Sequence, residues 1–180
     1  MQLPNLGLYA LVILLAKATA MQVHSQPTDA AMSKPAKAYS TAGFTSDERA
    51  IVKVAENFLE GIGARNKTLM LDQVLPSGGA TLLRNEVPIF TNLTGLIDRI
   101  PFDLPQSMEE RISGQPVVRV DKDIAMLWTP YEFLIAGVID HVGTDIWSFA
   151  KQNGRWLISG VADNSRAPDC DDGHAAGAQD

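Results

Sequence analysis

The sequence is poor in the residues that build metal sites and disulfides. It holds one cysteine and three histidines in 180 residues. A disulfide framework needs cysteines in pairs and a cysteine-rich zinc site needs several, so both are excluded within one chain. The histidines lie far apart, at positions 24, 141 and 174. We therefore predict neither a bound metal nor a cofactor.

Basic residues are also scarce. Fifteen Lys and Arg face 21 Asp and Glu, which gives a formal net charge of −6. Nucleic-acid binders usually present a basic face, so we expect no nucleic-acid partner. The sequence also lacks a Gly-x-Ser-x-Gly elbow, a His-Glu-x-x-His motif and a dinucleotide-binding fingerprint. Several common enzyme classes are thereby excluded.

No apolar run is long enough to span a bilayer, which needs roughly 20 residues. The run Leu6–Ala16 instead fits the apolar core of a secretory signal, and Ala18-Thr19-Ala20 supplies a peptidase site. This pattern predicts a signal peptide over residues 1–20 and a secreted protein, periplasmic in a bacterium, with no membrane association after cleavage. The alternative is an uncleaved, buried N-terminal helix.

Two further segments are predicted to lie outside the fold. Residues 21–43 show neither helical nor strand periodicity and read as a disordered linker. Residues 166–180 are acidic, carry the lone Cys170 and are expected to form a solvated tail. The folded body therefore spans residues 44–165. Within it, Asn66 and Asn92 begin Asn-x-Thr triplets, which are candidate glycosylation sites if the source is eukaryotic.

The first half of the body has mainly helical patterns. Thr45 and Glu48 form a capping box ahead of an apolar stripe at 3–4 spacing that ends near residue 63. A second helical pattern covers residues 69–75 and stops at a turn predicted over residues 76–79. Two short strands are expected at residues 80–85 and 87–91, and a third helix at residues 96–100. The stretch 107–111 is polar and predicted to be exposed.

The second half changes to the composition of strands. Residues 117–120, 124–135, 139–150 and 156–162 are rich in β-branched and aromatic side chains. Ala136-Gly137 and Asn153-Gly154 lie where tight hairpin turns are needed. We therefore predict an α+β fold in which N-terminal helices pack on one face of a strongly curved antiparallel sheet.

A set of landmarks in this half resembles the nuclear transport factor 2-like (NTF2-like) superfamily, and more closely its SnoaL-like small-molecule branch. The landmarks are Trp128-x-x-Tyr131-x-Phe133, Gly137, His141-x-Gly143-x-Asp145, Phe149 and Gly154-x-Trp156-x-Ile158. The resemblance covers about residues 44–166. It implies a cystatin-like cone with an apolar pocket, which commonly pairs through its sheet into a homodimer. Members include isomerases, dehydratases, epoxide hydrolases and polyketide cyclases, so the fold alone assigns no activity.

Counting outward from the two hairpin turns predicts which side chains share a face. If neither ladder slips, Glu132 lies opposite His141, and Asp145 lies on the same face as both. These three form the predicted catalytic cluster, because a histidine oriented by a carboxylate can carry a proton. The alternative is an ordinary stabilising Glu–His contact across two strands.

Four residues are predicted to line the ligand pocket. Trp128, Tyr131 and Trp147 are large walls with a polar edge, and Asp72 falls where several catalytic members of the resembled superfamily carry pocket acids. An exposed helical position for Asp72 is the alternative. The expected partner is a small, largely apolar molecule, bound with or without acid/base chemistry of the isomerase, dehydratase or cyclase type. A non-catalytic binding or dimerisation module is the other reading.

Overall fold

The computed structural model describes residues 38–168, which form three helices followed by a large sheet. The predicted signal peptide, most of the predicted linker and Cys170 lie outside these residues. The helices are α1 (Ser46–Gly63), α2 (Lys67–Leu71) and α3 (Leu93–Asp98). The strands are β1 (Val74–Arg84), β2 (Val87–Asn92), β3 (Met108–Ile112), β4 (Val117–Asp121), β5 (Ile124–Ile135), β6 (Val138–Gln152) and β7 (Arg155–Arg166).

Helix α1 begins and is buried as its sequence predicts. The Thr45 side chain accepts from the Glu48 backbone N–H, and the Glu48 carboxylate accepts from the Thr45 N–H, which completes the capping box. The apolar stripe faces the sheet, where Phe58 packs edge-on against Trp147 with ring centroids 5.5 Å apart. At the start of the helix, Asp47 binds Lys151 and so ties α1 to the β6–β7 hairpin. None of the described helices is both long and apolar enough to cross a membrane.

The strands form one mixed sheet rather than a wholly antiparallel one. Its order is β2-β1-β7-β6-β5-β3, and β4 pairs with the other part of β5. Strand β1 runs parallel to β7, whereas every other pair is antiparallel. The α+β class and the order of helices before the meander are confirmed.

The predicted turn at residues 76–79 is wrong, because these residues lie inside β1. The ladder between β1 and β7 is interrupted between Val74 and Gly79, so the strand is irregular where its sequence resembles a turn. Gly78 is required there, since a Cβ atom would lie 2.4 Å from the Ser159 carbonyl oxygen. The Pro-Ser-Gly-Gly composition therefore marks a close approach of two backbones.

The stretch 107–111, predicted to be exposed, instead forms most of strand β3. Met108 and Ile112 are buried at alternate positions around Glu110, a period of two that fits a strand with one face on the core. The run is short and mostly charged, so this alternation is easily missed.

The two hairpin turns are where the sequence places them, but both ladders slip beyond the turns. Gln152 pairs with Arg155 and Phe149 with Ile158, as predicted. Each ladder then carries one extra residue, Asp140 on β6 and Ser159 on β7. The bulges shift all later pairs by one residue, which alters the predicted faces of the sheet.

The predicted linker ends in residues that contact the folded body. Tyr39 and Phe44 pack against the core, and the Tyr39 hydroxyl donates to the Glu56 carboxylate on α1. The Ser40 backbone exchanges two hydrogen bonds with the Gln115 side chain, at 3.1 and 2.8 Å. Within the described residues, the contacts between the predicted linker and the folded body begin at Tyr39.

Gly143 provides a test of the sheet register. A Cβ atom there would lie 2.0 Å from the Asn164 carbonyl oxygen and 2.5 Å from the Tyr131 ring. We expect Gly143→Ala to lower the free energy of unfolding by about 3 kcal/mol, because neither neighbour can yield. Urea denaturation measures the change. Gly79→Ala is the control, since nothing lies within 4 Å of its Cβ position; equal losses in both variants would contradict this register.

Candidate active site

The inner face of the sheet, which faces the helices, divides into an apolar half and a polar half. The apolar half holds Leu127, Trp147, Phe149 and Ile158, all buried in the core. The polar half draws five side chains from five different strands into one electrostatic cluster. We call these residues the acidic cluster: Arg84 (β1), Glu110 (β3), Tyr131 (β5), Asp145 (β6) and Asp163 (β7).

The only cation of the acidic cluster is bound by one of its three carboxylates. Arg84 Nη1 and Nη2 lie 2.7 and 2.8 Å from the two carboxylate oxygens of Asp163. This two-point geometry satisfies the Asp163 carboxylate and fixes the guanidinium plane. The pair is locally neutral, so the other two carboxyl groups have no full counter-charge within the cluster.

Asp145 is the most deeply buried of these groups. Only 2% of its surface is exposed, and its Oδ2 atom is buried with no hydrogen-bond partner. Burial, together with the neighbouring Glu110 and Asp163, raises the pKa of the Asp145 carboxyl well above its usual range. A carboxyl group in this environment keeps its proton to higher pH than an exposed aspartate does, and it can exchange that proton with a bound molecule.

Glu110 is the second carboxyl with a raised pKa. The residue as a whole is partly buried, while its carboxyl group is shielded from solvent. Burial, and then repulsion from Asp163, raises the pKa of Glu110 to about 8. Glu110 and Asp145 can therefore form a pair that holds protons near pH 7 beside the charged Arg84–Asp163 pair.

Tyr131 adds a phenol to the acidic cluster. Its hydroxyl donates to the Asn164 carbonyl oxygen at 2.9 Å. Burial, and then the charges of Glu110 and Asp163, raises the pKa of the Tyr131 hydroxyl. Tyr131 therefore stays protonated, and its place in a ligand pocket stays a prediction.

His141 lies on the inner face but does not pair with Asp145. Four residues separate them on one strand, about 13 Å. The His141 ring stacks on Phe133 at 4.8 Å and meets Tyr131 edge-on at 5.8 Å. Its Nδ1 atom lies 2.9 Å from Asp140 Oδ2, so the bulge residue supplies the carboxylate that the sequence assigns to Asp145.

The predicted grouping of Glu132 with His141 and Asp145 is wrong, because the bulge at Asp140 turns Glu132 to the outer face. There Glu132 Oε2 accepts from Arg111 Nε at 2.9 Å and from Nη2 at 2.8 Å. This partly buried ion pair lies on the other side of the sheet from the acidic cluster. Only Asp145 of the three predicted catalytic residues belongs to that cluster.

The two predicted tryptophan walls are separated by the same shift. Trp128 lies on the outer face and is 44% exposed. Trp147 lies on the inner face, 2% exposed, and its indole Nε1 donates to Thr129 Oγ1 at 3.2 Å. Trp147 thus forms the boundary between the apolar and polar halves, and Trp128 does not face the helices.

The remaining candidates lie on exposed helix ends. Asp72 follows α2, is exposed, and its backbone oxygen accepts from Arg155, which matches the alternative reading of this residue. Asn66 and Asn92 are exposed N-cap residues whose side-chain oxygens accept from backbone N–H groups. Glycosylation of these two residues stays a prediction.

A groove with a volume of about 620 Å³ lies at the edge of the sheet formed by β3, beside α1. Its walls include Tyr39, Leu59, Met108 and Leu134. Glu110 is the member of the acidic cluster that also lines this groove. The groove and the acidic cluster therefore share Glu110.

Across residues 38–168, no three His, Cys, Asp or Glu side chains are arranged to hold a metal ion. The carboxyls of the acidic cluster thus lie near enough to influence one another's pKa without forming such an arrangement.

Neither a family model nor a curated protein sequence matches this chain. The fold, however, matches many solved structures. An NTF2-like protein of unknown function from Shewanella baltica superposes with a TM-score of 0.54 at 15% identity, over 69% of this chain and 98% of that one. The chain therefore has the NTF2-like fold.

Two other structures agree on the fold and differ in what is said of their function. A cystatin-like protein of unknown function from Nostoc punctiforme has a TM-score of 0.55 at 13% identity, over 68% of this chain and 93% of its own. A proposed aromatic ring hydroxylase from Novosphingobium aromaticivorans has a TM-score of 0.56 at 12% identity, with coverages of 68% and 90%. At these identities the similarity establishes the cystatin-like architecture alone.

Three residues of the acidic cluster are not among the site residues that the sequence predicts. Arg84 sits beside a predicted turn, Glu110 in a stretch predicted to be exposed, and Asp163 near the start of the acidic C-terminal residues. The Met108-x-Glu110-x-Ile112 alternation is the signal that could have revealed Glu110, since it places the acid between two core side chains. Arg84 and Asp163 carry no comparable signal, because only the parallel β1–β7 pairing brings them together.

The raised pKa of Glu110 predicts how stability depends on pH. Between about pH 4.5 and 8 the unfolded chain has released this proton and the folded chain has not, so stability falls as pH rises. One such group contributes a slope of about 1.4 kcal/mol per pH unit in this window. We expect Glu110→Gln to remove most of one such slope in urea denaturation from pH 5 to 8.

The exposed neighbour provides the control. Glu109→Gln, whose side chain is 56% exposed, should leave the slope unchanged. A Glu110→Gln slope equal to that of the unaltered protein would show that Glu110 titrates normally.

Proposed function

We propose that this NTF2-like fold binds a small, largely apolar molecule against the acidic cluster, and that Asp145 transfers a proton to or from it without a cofactor. The reaction would be of the isomerase, dehydratase or cyclase type. We also propose that the protein acts after export, as the apolar run Leu6–Ala16 predicts.

The observation that carries the proposal is the buried, unpartnered Oδ2 atom of Asp145. Leaving a buried polar atom unsatisfied costs about 1–3 kcal/mol. Such a cost is typical of functional sites, where a ligand supplies the missing partner. Glu110 and the Arg84–Asp163 ion pair lie close enough to act on the charge of Asp145, so the site offers a second proton carrier and a fixed ion pair.

The groove beside Glu110 fits such a substrate. Its apolar walls, Leu59, Met108 and Leu134, would hold a hydrocarbon body, while the acidic cluster would orient one polar group. No nucleophile of the serine or cysteine type lies among the five residues of the cluster. Proton transfer by a carboxyl of raised pKa is the chemistry that this side-chain set supports best.

The outer face supports a second proposal, that two copies pair through their sheets. One row of aligned residues crosses six strands and is almost wholly apolar. Trp128 and Ile146 at its centre are 44% and 41% exposed. Apolar patches of this extent commonly mark interfaces. In order across the sheet the row is Val117, Trp128, Ile146, Ala162, Thr81 and Phe90.

The ligand proposal is tested by mass spectrometry of small molecules retained by the purified protein. We expect a metabolite in the unaltered protein and at least a tenfold loss of turnover of that metabolite in Asp145→Asn, which removes the titrating group at nearly constant shape. Asp72→Asn, at an exposed helix end, is the matched control. Retention without turnover by the unaltered protein would establish the non-catalytic binding module instead.

The pairing proposal is tested by sedimentation. Trp128→Glu places a charge at the centre of the apolar row, and we expect it to convert a dimer into a monomer without lowering the melting temperature of the fold. Val138→Lys is the control, because that residue is 62% exposed at the β5–β6 turn, outside the row. An unaltered protein that sediments as a monomer at micromolar concentration would contradict the proposal.

A further inference from the structure

We propose that the ligand of the acidic cluster carries a protonated amine on its apolar body. This inference rests on the proposed function and narrows it from any small apolar molecule to a cationic one. It follows from counting the charged and hydrogen-bonding groups that face the cluster from each of its strands.

The acidic cluster holds more acidic groups than basic ones. Five strands contribute three carboxyl groups, one phenol and one guanidinium, so acids outnumber cations by three to one. Arg84 is engaged by both oxygens of Asp163. Asp145 and Glu110 therefore lie in a negative potential that no further side chain of the cluster neutralises.

Asp145 has a hydrogen-bond acceptor without a partner. Only 2% of Asp145 is exposed, and its Oδ2 atom is buried with no hydrogen-bond partner. Tyr131 cannot fill this vacancy while its hydroxyl donates to the Asn164 carbonyl oxygen. An ammonium group, with three N–H donors and a positive charge, would satisfy Asp145 and also interact with Glu110.

The groove at β3 suits the hydrocarbon part of such a ligand. The groove beside Glu110 has apolar walls at Leu59, Met108 and Leu134. Its charged lining holds the acids Glu56, Glu60 and Glu109 and one cation, Arg111, which is paired with Glu132. This pattern attracts a cation that carries an apolar group and repels an anion. The groove and the acidic cluster therefore favour the same class of ligand, a cation with an apolar group.

The competing ligand class is a neutral molecule whose oxygen accepts a proton or hydrogen bond from Asp145 and Glu110. The two classes differ in their coupling to protons. A cation displaces the protons held by the two carboxyls, so its binding releases protons and strengthens as pH rises. A neutral acceptor requires those protons, so its binding is unchanged or weakens over the same range.

The test uses cyclohexylamine, an ammonium ion near neutral pH, and cyclohexanol, a neutral molecule with the same ring. Titration calorimetry in two buffers of different ionisation enthalpy measures the protons released. We expect cyclohexylamine to bind with release of close to one proton at pH 7. Its affinity should rise up to tenfold from pH 6 to pH 7, while cyclohexanol binds weakly and without proton release.

Variants assign the effect to the cluster. Glu110→Gln should lower the affinity for cyclohexylamine at least fivefold and reduce the proton release, whereas Asp72→Asn, at an exposed helix end outside the groove, should have less than a twofold effect. Asp145→Asn is the second test if Glu110→Gln does not fold, and the midpoint of thermal unfolding monitors folding in each variant.

The remaining outcomes separate the two proposals. Tighter binding of cyclohexanol, without proton release and with loss in Asp145→Asn, would overturn the amine inference and leave the proposed function in place. Failure of both probes to shift the NMR signals of Tyr131 and Trp147 at millimolar concentration would overturn both proposals. Cyclohexylamine binding that Glu109→Gln abolishes and Glu110→Gln does not would place the cation in the groove and overturn the inference.

Discussion

The arrangement of this protein depends on the burial of two carboxyl groups, Asp145 and Glu110, beside an ion pair that is already complete. Arg84 and Asp163 satisfy each other through two short contacts, so they lend little positive charge to their neighbours. Low solvent access and repulsion from neighbouring acids then raise the pKa values of the two remaining acids. A stable domain gains little from such a group, which is why the cluster is better understood as a site than as part of the core.

Backbone irregularities determine where these groups lie. Single extra residues at Asp140 and Ser159 shift the two longest ladders, and this shift brings Asp145 opposite Asp163 on the inner face. The same shift places Glu132 and Trp128 outside. Bulges of this kind commonly re-aim side chains near functional sites, and here one of them also supplies the carboxylate beside His141.

The sequence predicts the fold far better than it predicts the site. The capping box at Thr45, the helical stripe and the two hairpin turns are local signals, and the structure follows them closely. Face assignments depend on register over ten or more residues, and a bulge leaves little trace in composition. Arg84 and Glu110 join the site through pairings between distant strands, which no local pattern in a single sequence encodes.

The most direct test of this account is a carbon-13 NMR titration of the side-chain carboxyls from pH 3 to 10. The account predicts that Glu110 titrates near pH 8 and that the pKa of Asp145 lies well above that of an exposed aspartate. Exposed acids such as Glu109 provide internal references in the same spectra. Titration of both Asp145 and Glu110 at the ordinary values of 3.8 and 4.5 would contradict the central claim.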